Sequence, residues 1–375
     1  MKKAITPIFD PWESYLDIDQ SGSIQLSNIE LTTTTLCNMR CEHCAVGYTL
    51  QTKDPDALPL SLLLSKLDEI PSLRALSITG GEPMLSKKSV QNYVLPLLRY
   101  AHERGVYTQM NSNLTIDAAR YELIAPYLDV LHISHNWGTV DEFVEAGFAH
   151  MERKPSYKQR EQLFTRMINN SQILASADVL VSAETMLNKR TLPYLEKIHR
   201  QVVDEMRCAR HEIHPMYPSD FASVLESLSL DDMRAAIHHL LDVRDPNVWM
   251  LFGTLPFFAC HEDVRDRELV YRLQKEQHVT VRNDPDGRSR LNVNIFSGDI
   301  IVTDFADAPS LGNIQKNSFQ EAYETWTASK LAKETGCHCS SVRCLGPNIL
   351  VKNAYYPETD FTKRAAFLDL TNIGQ

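Results

Sequence analysis

The stretch Leu36-Cys-Asn-Met-Arg-Cys-Glu-His-Cys44 places three cysteines, Cys37, Cys41 and Cys44, directly after a β-branched run. Cysteine thiolates are the usual ligands of iron–sulfur clusters, so three of them can hold such a cluster by three of its corners. The fourth iron then has no protein ligand, and an open metal position distinguishes a catalytic metal site from a closed structural one. The spacing therefore predicts a cluster that binds and activates a ligand.

A zinc site is the alternative interpretation of the same stretch, with His43 as the fourth ligand. His43 and Cys44 are adjacent, however, and the stretch lacks the paired ligand spacing that is typical of structural zinc sites. The sequence therefore favours the iron–sulfur cluster.

The composition is typical of a globular protein and limits the classes of partner. The chain has 375 residues, 43% hydrophobic and 23% charged, enough for one large domain and a smaller one. The net charge is -10 and there is no basic stripe, which argues against nucleic acid or an anionic membrane as a partner. There is no apolar run of about 18 residues and no secretory signal, so we expect a cytoplasmic, reducing location.

The cysteines are clustered along the chain. Six of the eight lie in two tight groups, and the members of the second group are Cys337, Cys339 and Cys344. In a large chain without an export signal, clustered cysteines bind metal or react more often than they form disulfides. Cys208 stands alone and is interpreted as a small buried hydrophobic residue.

Short β-rich runs alternate with amphipathic stretches over the first part of the chain. Strands are predicted over 29–35, 73–79, 106–112, 130–135, 179–186 and 211–217, and helices over 60–70, 90–103, 116–128, 158–169 and 192–206. Strands separated by helices of this length indicate parallel βαβ units. We therefore predict an α/β fold, a partial (β/α)6 barrel of the TIM type. The cysteine loop follows the first strand, and such barrels build their active sites in these loops.

The pattern changes after Tyr217. A helix over 231–243 carries two histidines, His238 and His239, which we interpret as solvated or packed. A hairpin over 291–304, with Gly298 in its turn, and a helix over 319–332 lead into the second cysteine group. The predicted divisions are an N-terminal extension 1–28, a barrel 29–220, a helical connector 221–250 and a C-terminal α+β iron–sulfur domain 251–375.

The three-cysteine spacing, followed one βα unit later by Gly80-Gly81-Glu82-Pro83, resembles the radical S-adenosylmethionine (SAM) superfamily. The resemblance implies that Cys37, Cys41 and Cys44 ligate a [4Fe-4S] cluster whose unique iron chelates the amino and carboxylate groups of SAM. Reduction of that cluster would cleave SAM, and the 5′-deoxyadenosyl radical would abstract hydrogen from a substrate. It also implies a reducing partner such as flavodoxin or ferredoxin.

The resemblance extends to the loop after the second strand. Gly80 and Gly81 permit close approach of the backbone to a ligand, and Pro83 stiffens the loop. The Glu82 carboxylate is suited to a charge-assisted contact with the ammonium of SAM. His43 occupies a position where the family often has an aromatic side chain beside the adenine.

Two later strands supply further candidates for SAM binding. Strand alternation places Ser134 and Asn136 on one face of the fourth strand, where the resemblance implies contacts with the ribose and methionine moiety. Ser182 and Glu184 share one face of the fifth strand in the same way. Burying an unpaired carboxylate inside a barrel costs free energy. A structural ion pair is therefore the alternative role for Glu184.

The C-terminal cysteines, Cys337-x-Cys339-x4-Cys344, and the preceding hairpin resemble the auxiliary-cluster extensions of SPASM or twitch type. The resemblance implies a second, auxiliary [4Fe-4S] cluster, completed by Cys260. Asp304 or His261 could replace Cys260 as the fourth ligand, or the site could stay open for substrate. A zinc knuckle is the alternative. The larger extensions also have a cysteine a few residues past the hairpin glycine; here the stretch up to Asp304 has none, so a third cluster is not expected. The whole pattern resembles the radical SAM CxCxxxxC-motif group of YfkAB type.

The sequence thus predicts a radical SAM enzyme with an unidentified substrate, and the auxiliary extension favours a peptide or protein as that substrate. Two alternatives stay open. One is a non-catalytic iron–sulfur protein for electron transfer or sensing, and the other is a single-cluster enzyme with a zinc-binding tail. The intact cysteines and Glu82 argue against the non-catalytic alternative.

Overall fold

The computed structural model describes residues 5–216, 218–282, 285–304 and 308–364. The strands are β1 Asn28–Thr32, β2 Ala75–Thr79, β3 Tyr107–Ser112, β4 Val130–Ser134, β5 Leu180–Leu187, β6 Arg210–Pro215, β7 Trp249–Gly253, β8 Val279–Arg282, β9 Arg290–Asn294, β10 Asp299–Ile301 and β11 Gly312–Asn313.

The helices lie between and beyond these strands. They are α1 Tyr15–Ser21, α2 Leu60–Asp68, α3 Lys87–Ser89, α4 Leu95–Glu103, α5 Ala118–Ile124, α6 Val140–Ala146, α7 Tyr157–Ala175, α8 Leu195–Arg200, α9 Leu230–Val243, α10 Val264–Lys275, α11 Phe319–Ala328, α12 Lys330–Thr335, α13 Ile349–Tyr355 and α14 Phe361–Arg364. Short 3-10 turns cover Gly47–Thr49, Ala125–Tyr127, Leu192–Tyr194, Asp220–Val224 and Ser340–Val342, and π turns cover Val90–Val94 and Gln201–Glu205.

One sheet contains all of these strands, in the order β11-β10-β9-β1-β2-β3-β4-β5-β6-β7-β8. Strands β1 to β8 are parallel to their neighbours, and β9 is parallel to β1. Strands β10 and β11 are antiparallel to their neighbours. The sheet does not close within the described residues, because β8 and β11 lie at its two ends. The α/β prediction with a partial barrel is therefore confirmed.

The number of barrel strands is larger than the sequence predicted. β7 and β8 continue the parallel series beyond the sixth strand, separated by α10. Residues 221–250 are therefore not only a helical connector, because β7 begins at Trp249. The predicted hairpin is present, but its first strand, β9, pairs with β1 and so belongs to the barrel sheet. Tyr217, the predicted end of the sixth strand, lies outside the described residues.

Most predicted helices are present with shifted ends. α7 begins after a capping box formed by Ser156 and Gln159, and it continues to Ala175, beyond the predicted end at residue 169. The predicted helix over 192–206 is divided into a 3-10 turn, α8 and a π turn. α6, which is only two turns long and lies in the loop after β4, was not predicted from the sequence.

The sheet has an apolar outer face and a polar inner face. Leu31, Ile78, Met110, Ile133 and Val181 are buried in one core cluster with the surrounding helices. The alternating neighbours point into the lumen and are also buried; they are Glu30, Ser77, Gln109, His132, Ser182 and Glu212. Buried polar groups are generally hydrogen-bonded, and these side chains bond in pairs between neighbouring strands.

The N-terminal segment closes the bottom of the barrel. Arg210, at the start of β6, donates to the carbonyl of Phe9 at 2.8 Å. Arg74, just before β2, forms an ion pair with Asp17, and Ser14 lies 2.6 Å from Ser289, just before β9. We call residues 7–17 the N-terminal plug. These three anchors lie near the N-terminal ends of strands, at the end of the barrel opposite the cysteine loop, and Asp10 of the plug also pairs with Arg282 at the end of β8.

A chain of buried histidines lies on the outer face of β5 and β6. His199 Nε2 accepts from the backbone of Asp245 at 3.0 Å, so its Nδ1 is the donor toward His211 Nδ1, also at 3.0 Å. His211 Nε2 in turn lies 2.9 Å from Thr185 Oγ1. Burial lowers the pKa of His199 to about 4 and that of His211 well below its usual value. These hydrogen bonds form only when the imidazoles of His199 and His211 are both neutral.

We expect His199 to make the fold less stable on mild acidification. Unfolded histidines take up protons near pH 6.5, whereas His199 stays neutral in the fold down to about pH 4. At this residue the folded state binds fewer protons in this window, so the contribution of His199 to the free energy of unfolding falls as the pH is lowered through it. Between about pH 7 and pH 5, urea unfolding should show that His199→Gln gains stability relative to the unchanged protein. His239→Gln, an exposed control, should keep the pH dependence of the unchanged protein. Equal pH dependence in all three proteins would contradict the assignment.

Candidate active site

The three N-terminal cysteines converge in the loop after β1. The backbone N–H of Cys44 donates to the carbonyl of Cys41 at 3.2 Å, which folds the loop into a tight turn. Cys37 Sγ accepts from the backbone of Met39 at 3.4 Å. Burial raises the pKa of Cys37 to about 12 and raises that of Cys41 well above its usual value. Thiolates so buried need a cation among them, and this donor set fits an iron–sulfur cluster.

The loop is fastened to the barrel on the side of α6. The backbone N–H groups of Arg40 and Glu42 donate to the carbonyls of Gly147 and Ala146 at 3.1 and 2.9 Å. Arg190, after β5, forms an ion pair with Glu42 at 3.0 Å. The cysteine loop is therefore held by α6 and by the loop after β5.

Gly80 and Gly81 are required by the contact between two loops. A Cβ atom at Gly80, where φ is +143°, would lie 2.3 Å from the carbonyl oxygen of Thr34. A Cβ atom at Gly81 would lie 2.2 Å from that of Leu36, just before the first cysteine. The structure thus gives these glycines a close approach to the backbone of the cysteine loop. Their close approach to a ligand stays a prediction of the sequence.

Glu82 is fully buried and accepts several hydrogen bonds. Its carboxylate accepts from the hydroxyl of Ser112 at 2.9 and 3.1 Å, from the backbone of Asn113 at 2.8 Å and from that of Met84 at 3.1 Å. Burial raises its pKa to about 7, against these bonds, which lower it. Asn113 also reaches Cys37 Sγ at 3.9 Å. Glu82 therefore joins the loops after β2 and β3 to the cysteine loop, and Pro83 is buried beside it.

Four of the predicted SAM contacts line one cavity of about 200 Å³ in the lumen; they are His43, Ser134, Asn136 and Glu184. Asn136 Nδ2 lies 3.2 Å from His43 Nε2, and Asn136 Oδ1 accepts from the backbone of Met186 at 2.7 Å. Burial lowers the pKa of His43 to about 4, so its imidazole is neutral. The cavity therefore offers a neutral ring and several polar groups close to the three cysteines.

Glu184 is paired within the lumen. His132 Nδ1 lies 3.1 Å from Glu184 and 3.2 Å from Glu212. Burial opposes the charged imidazole, but the two carboxylates outweigh it and raise the pKa of His132 to about 9. The pairing matches the structural role that the sequence left open for Glu184. Its side chain still lines the cavity and can contact a ligand.

Ser182, another predicted SAM contact, is not among the residues that line this cavity. It is fully buried and donates to Glu212 at 2.6 Å, and Glu212 also pairs with Arg210 at 2.6 Å. Three ligand atoms of His132, Glu184 and Glu212 lie within 4.8 Å of one another, as in a metal site. Because Arg210 already neutralises Glu212, these residues are better described as an ion-pair network than as a metal site.

The C-terminal cysteines and Cys260 line one small pocket; its cysteines are Cys260, Cys337, Cys339 and Cys344. Cys339 and Cys344 form an antiparallel bridge with backbone bonds of 2.8 and 3.1 Å. Gly346 has a φ of +92°, and a Cβ atom there would lie 2.4 Å from the carbonyl oxygen of Thr335. Its N–H donates to Cys344 Sγ at 3.4 Å. The tail therefore brings four thiols together, as the sequence predicted.

The other candidates for the fourth ligand are engaged elsewhere. His261 Nδ1 lies 2.5 Å from Asp266, which is fully buried. Asp304 accepts from Asn292 at 3.2 Å, in the barrel lumen. Neither residue lines the pocket of the four thiols. Cys208 is buried and its sulfur lies 3.6 Å from Ser171 Oγ, as expected for a packed residue.

Helix α1 holds the C-terminal cysteine loop against the barrel. Tyr15 Oη lies 2.7 Å from Nε2 of His338, the residue between two of the cysteines. The guanidinium of Arg343 lies 4.3 Å from the Tyr15 ring and pairs with Asp19 at 2.8 Å. More than 300 residues separate the partners, so no sequence pattern predicts this contact.

Comparison with known proteins agrees with this geometry. Residues 31–185 match the family described as the radical SAM superfamily, and residues 216–366 match the YfkB-like domain. The protein YfkA of Bacillus subtilis (strain 168) is 70% identical over 364 residues, which are 97% of this chain and 98% of that protein. This chain belongs to the radical SAM superfamily. It is therefore a radical SAM enzyme, and the family implies SAM and a [4Fe-4S] cluster, as the sequence predicted.

Solved radical SAM structures share the fold. SuiB of Streptococcus suis bound to S-adenosylmethionine superposes with a TM-score of 0.58 at 14% identity, over 92% of this chain and 79% of that chain. The native anSMEcpe structure with bound AdoMet and Cp18Cys peptide superposes with a TM-score of 0.56 at 14% identity, over 92% and 95%. At this identity the likeness concerns the fold alone. Among the described residues, this radical SAM chain has no helix that is long and apolar enough to cross a membrane.

Proposed function

We propose that the enzyme cleaves SAM reductively at Cys37, Cys41 and Cys44 and abstracts hydrogen from a substrate in the lumen cavity. The observation that carries this proposal is the convergence of three half-buried cysteines beside a cavity of about 200 Å³ whose lining includes His43, Ser134 and Asn136. A [4Fe-4S] cluster on these thiols would supply the electron that cleaves SAM to methionine and a 5′-deoxyadenosyl radical. The chain's own residues bind, orient and enclose the reactants.

Different residues of the cavity contact different parts of SAM. The neutral imidazole of His43 packs beside the adenine, held by its contact with Asn136. Ser134 and Glu184 offer a hydroxyl and a carboxylate to the ribose and methionine groups. Ser182 supports this wall indirectly, through Glu212.

Gly80 to Pro83 act chiefly by shaping the cysteine loop. The four hydrogen bonds to the Glu82 carboxylate leave it committed to the loops after β2 and β3. We therefore propose that the loop meets the SAM ammonium with its backbone carbonyls. A direct contact from the Glu82 carboxylate stays a prediction of the sequence.

The four tail thiols are proposed to hold an auxiliary [4Fe-4S] cluster, with Cys260 as the fourth ligand. The shared pocket and the engagement of His261 and Asp304 elsewhere support this ligand set. Four thiolates also suit zinc, so metal analysis must separate the two. An auxiliary cluster would exchange an electron with the substrate radical or bind the substrate. The division at residues 220 and 250 into barrel, connector and cluster domain remains a proposal, since the sheet continues past it.

The proposed substrate is a peptide or protein, and the proposed electron donor is a flavodoxin or ferredoxin. One solved structure of the shared fold is SuiB bound to precursor peptide SuiA, which supports the peptide class for that fold. A non-catalytic electron-transfer or sensor protein is the second candidate. The enzyme family and the intact cysteine loop favour catalysis.

Formation of 5′-deoxyadenosine tests the proposed function. The protein is reconstituted with iron and sulfide under anaerobic conditions, reduced with dithionite and given SAM. We expect 5′-deoxyadenosine and methionine in equal amounts. Intact clusters without either product would favour the sensor or electron-transfer alternative.

A further inference from the structure

An asparagine from the loop after β3 reaches the sulfur of the first cysteine. Asn113 Nδ2 lies 3.9 Å from Cys37 Sγ, which also accepts from the backbone N–H of Met39 at 3.4 Å. Cys37 therefore has a donor from a side chain in addition to one from the backbone. A side-chain donor can be removed by substitution while the peptide groups stay in place, so its effect on the sulfur can be measured.

The orientation of the Asn113 amide is fixed by its other contacts. Its Oδ1 accepts from the backbone N–H of Thr115 at 3.0 Å and from the Thr115 hydroxyl at 2.7 Å. A backbone N–H can only donate, so the atom that faces Thr115 is the amide oxygen and the atom that faces Cys37 is the nitrogen. That nitrogen also donates to Asn38 Oδ1 at 3.0 Å, and its second N–H serves the sulfur.

Further contacts hold Asn113 between the two loops. Its backbone N–H donates to the Glu82 carboxylate at 2.8 Å, and Asn38 Nδ2 donates to Thr115 Oγ1 at 2.8 Å. The next residue, Leu114, has a φ of +55°, a conformation that costs free energy and persists where surrounding contacts determine it. The amide of Asn113 is therefore held beside Cys37 by both its backbone and its side chain.

We propose that the Asn113 amide donates an N–H···S hydrogen bond to the Cys37 thiolate and thereby raises the reduction potential of the cluster that cleaves SAM. The inference rests on the proposed function, because it takes Cys37 as a ligand of that cluster. The electron donor gives the cluster one electron and no proton, so reduction adds one negative charge. Hydrogen bonds to the sulfurs help to set the potentials of iron–sulfur clusters, because a donor stabilises the more negative state.

The proposed role concerns the entry of the electron rather than contacts with SAM. Asn113 is not among the residues that line the lumen cavity, whereas Ser134 and Glu184 are. Asn113 therefore acts through Cys37 and is a positioning residue. Its loss should make the cluster harder to reduce by the proposed flavodoxin or ferredoxin.

The test is an anaerobic redox titration of the reconstituted enzyme, followed by the electron paramagnetic resonance signal of the reduced cluster. The cluster under study is the one whose signal changes when SAM is added. At the midpoint potential of the unchanged enzyme, Asn113→Ala should lower the ratio of reduced to oxidised cluster at least about threefold. Asn113→Asp keeps the size of the side chain but replaces the donor by a negative charge. It should lower the ratio about tenfold, equivalent to a downward shift of about 59 mV for one electron.

Asn170→Ala is the matched control. Asn170, on α7, is also an asparagine that fastens the loop after β3, since its Nδ2 donates to the carbonyls of Leu114 and Ile116 at 2.8 and 2.7 Å. These bonds hold the loop without a contact to a cysteine sulfur among the described residues. The control should therefore keep the midpoint potential of the unchanged enzyme.

A second measurement needs no variant and applies even where an Asn113 variant does not hold its cluster. The unchanged enzyme is labelled with ¹⁵N in the side-chain amide of asparagine and reduced without SAM. Pulsed electron paramagnetic resonance should then detect a ¹⁵N coupling to the cluster, as a hydrogen bond from Asn113 to Cys37 requires.

Three results would overturn the inference. They are an unchanged potential in both Asn113 variants with the cluster intact, an equal fall in Asn170→Ala, and no side-chain ¹⁵N coupling in the unchanged enzyme. Failure of the proposed function gives a different result, because the unchanged enzyme would then have no cluster signal that responds to SAM. A signal that responds to SAM, with a potential that Asn113 does not affect, contradicts only the role of Asn113.

Discussion

Replacing Cys41 by alanine is expected to reduce 5′-deoxyadenosine formation from SAM by at least about 100-fold, equivalent to ~2.7 kcal/mol in activation free energy. Cys41 is the middle cysteine of the triad, and its half-buried thiol lies close to those of Cys37 and Cys44. Without it, two thiols remain to hold the cluster, and iron binding at this loop should be lost. Product analysis by chromatography after anaerobic reconstitution measures the effect, and iron analysis confirms its cause.

Cys208→Ala is the matched control for this substitution. Cys208 is also a buried thiol, but it packs against Ser171 behind the sheet. The control should keep its iron and its rate of SAM cleavage. Wild-type activity in Cys41→Ala would show that the loop is not the site of SAM cleavage.

Replacing Cys339 by alanine is expected to halve the iron content, from about eight to about four atoms per chain. Cys339 shares a pocket with Cys337, Cys344 and Cys260, so its loss removes one of four thiolates from a single cluster. The N-terminal loop is untouched, so SAM binding should persist. Iron, sulfide and zinc are measured on the same anaerobic samples.

Cys260→Ala separates the ligand sets that the sequence left open. An equal loss of iron in this variant supports Cys260 as the fourth ligand. Full iron content in both Cys339→Ala and Cys260→Ala would remove the tail from the cluster assignment. One zinc per chain, lost in both variants, would favour the zinc tail instead.

The local motifs predicted much of the site because their chemistry is local. The cysteine spacing located the three thiols, and strand alternation placed Ser134 in the lumen. Glu82 was harder to interpret, because its partners at Ser112 and Asn113 follow the next strand. The polar run at the end of β3 was the available signal for this contact.

The fold was predicted less completely near its open edges. β7 and β8 are short, and the alternation of strands and helices is not evident in the sequence after the sixth strand. Strand propensity alone therefore did not predict them. The plug and its Trp12 depend on contacts with β6, β8 and β9, more than 190 residues away. Sequence pattern does not encode such pairings, and only the assembled barrel shows where they meet.

The most direct test of the central claim is magnetic resonance on the reduced enzyme with isotopically labelled SAM. SAM carrying ¹⁵N in its amino group is added to the dithionite-reduced Cys339→Ala variant, in which the N-terminal cluster is expected to be the sole cluster. Electron–nuclear double resonance should then detect a ¹⁵N coupling to the cluster, as an iron open to the amino group requires. A cluster signal with bound SAM but without that coupling would contradict the account.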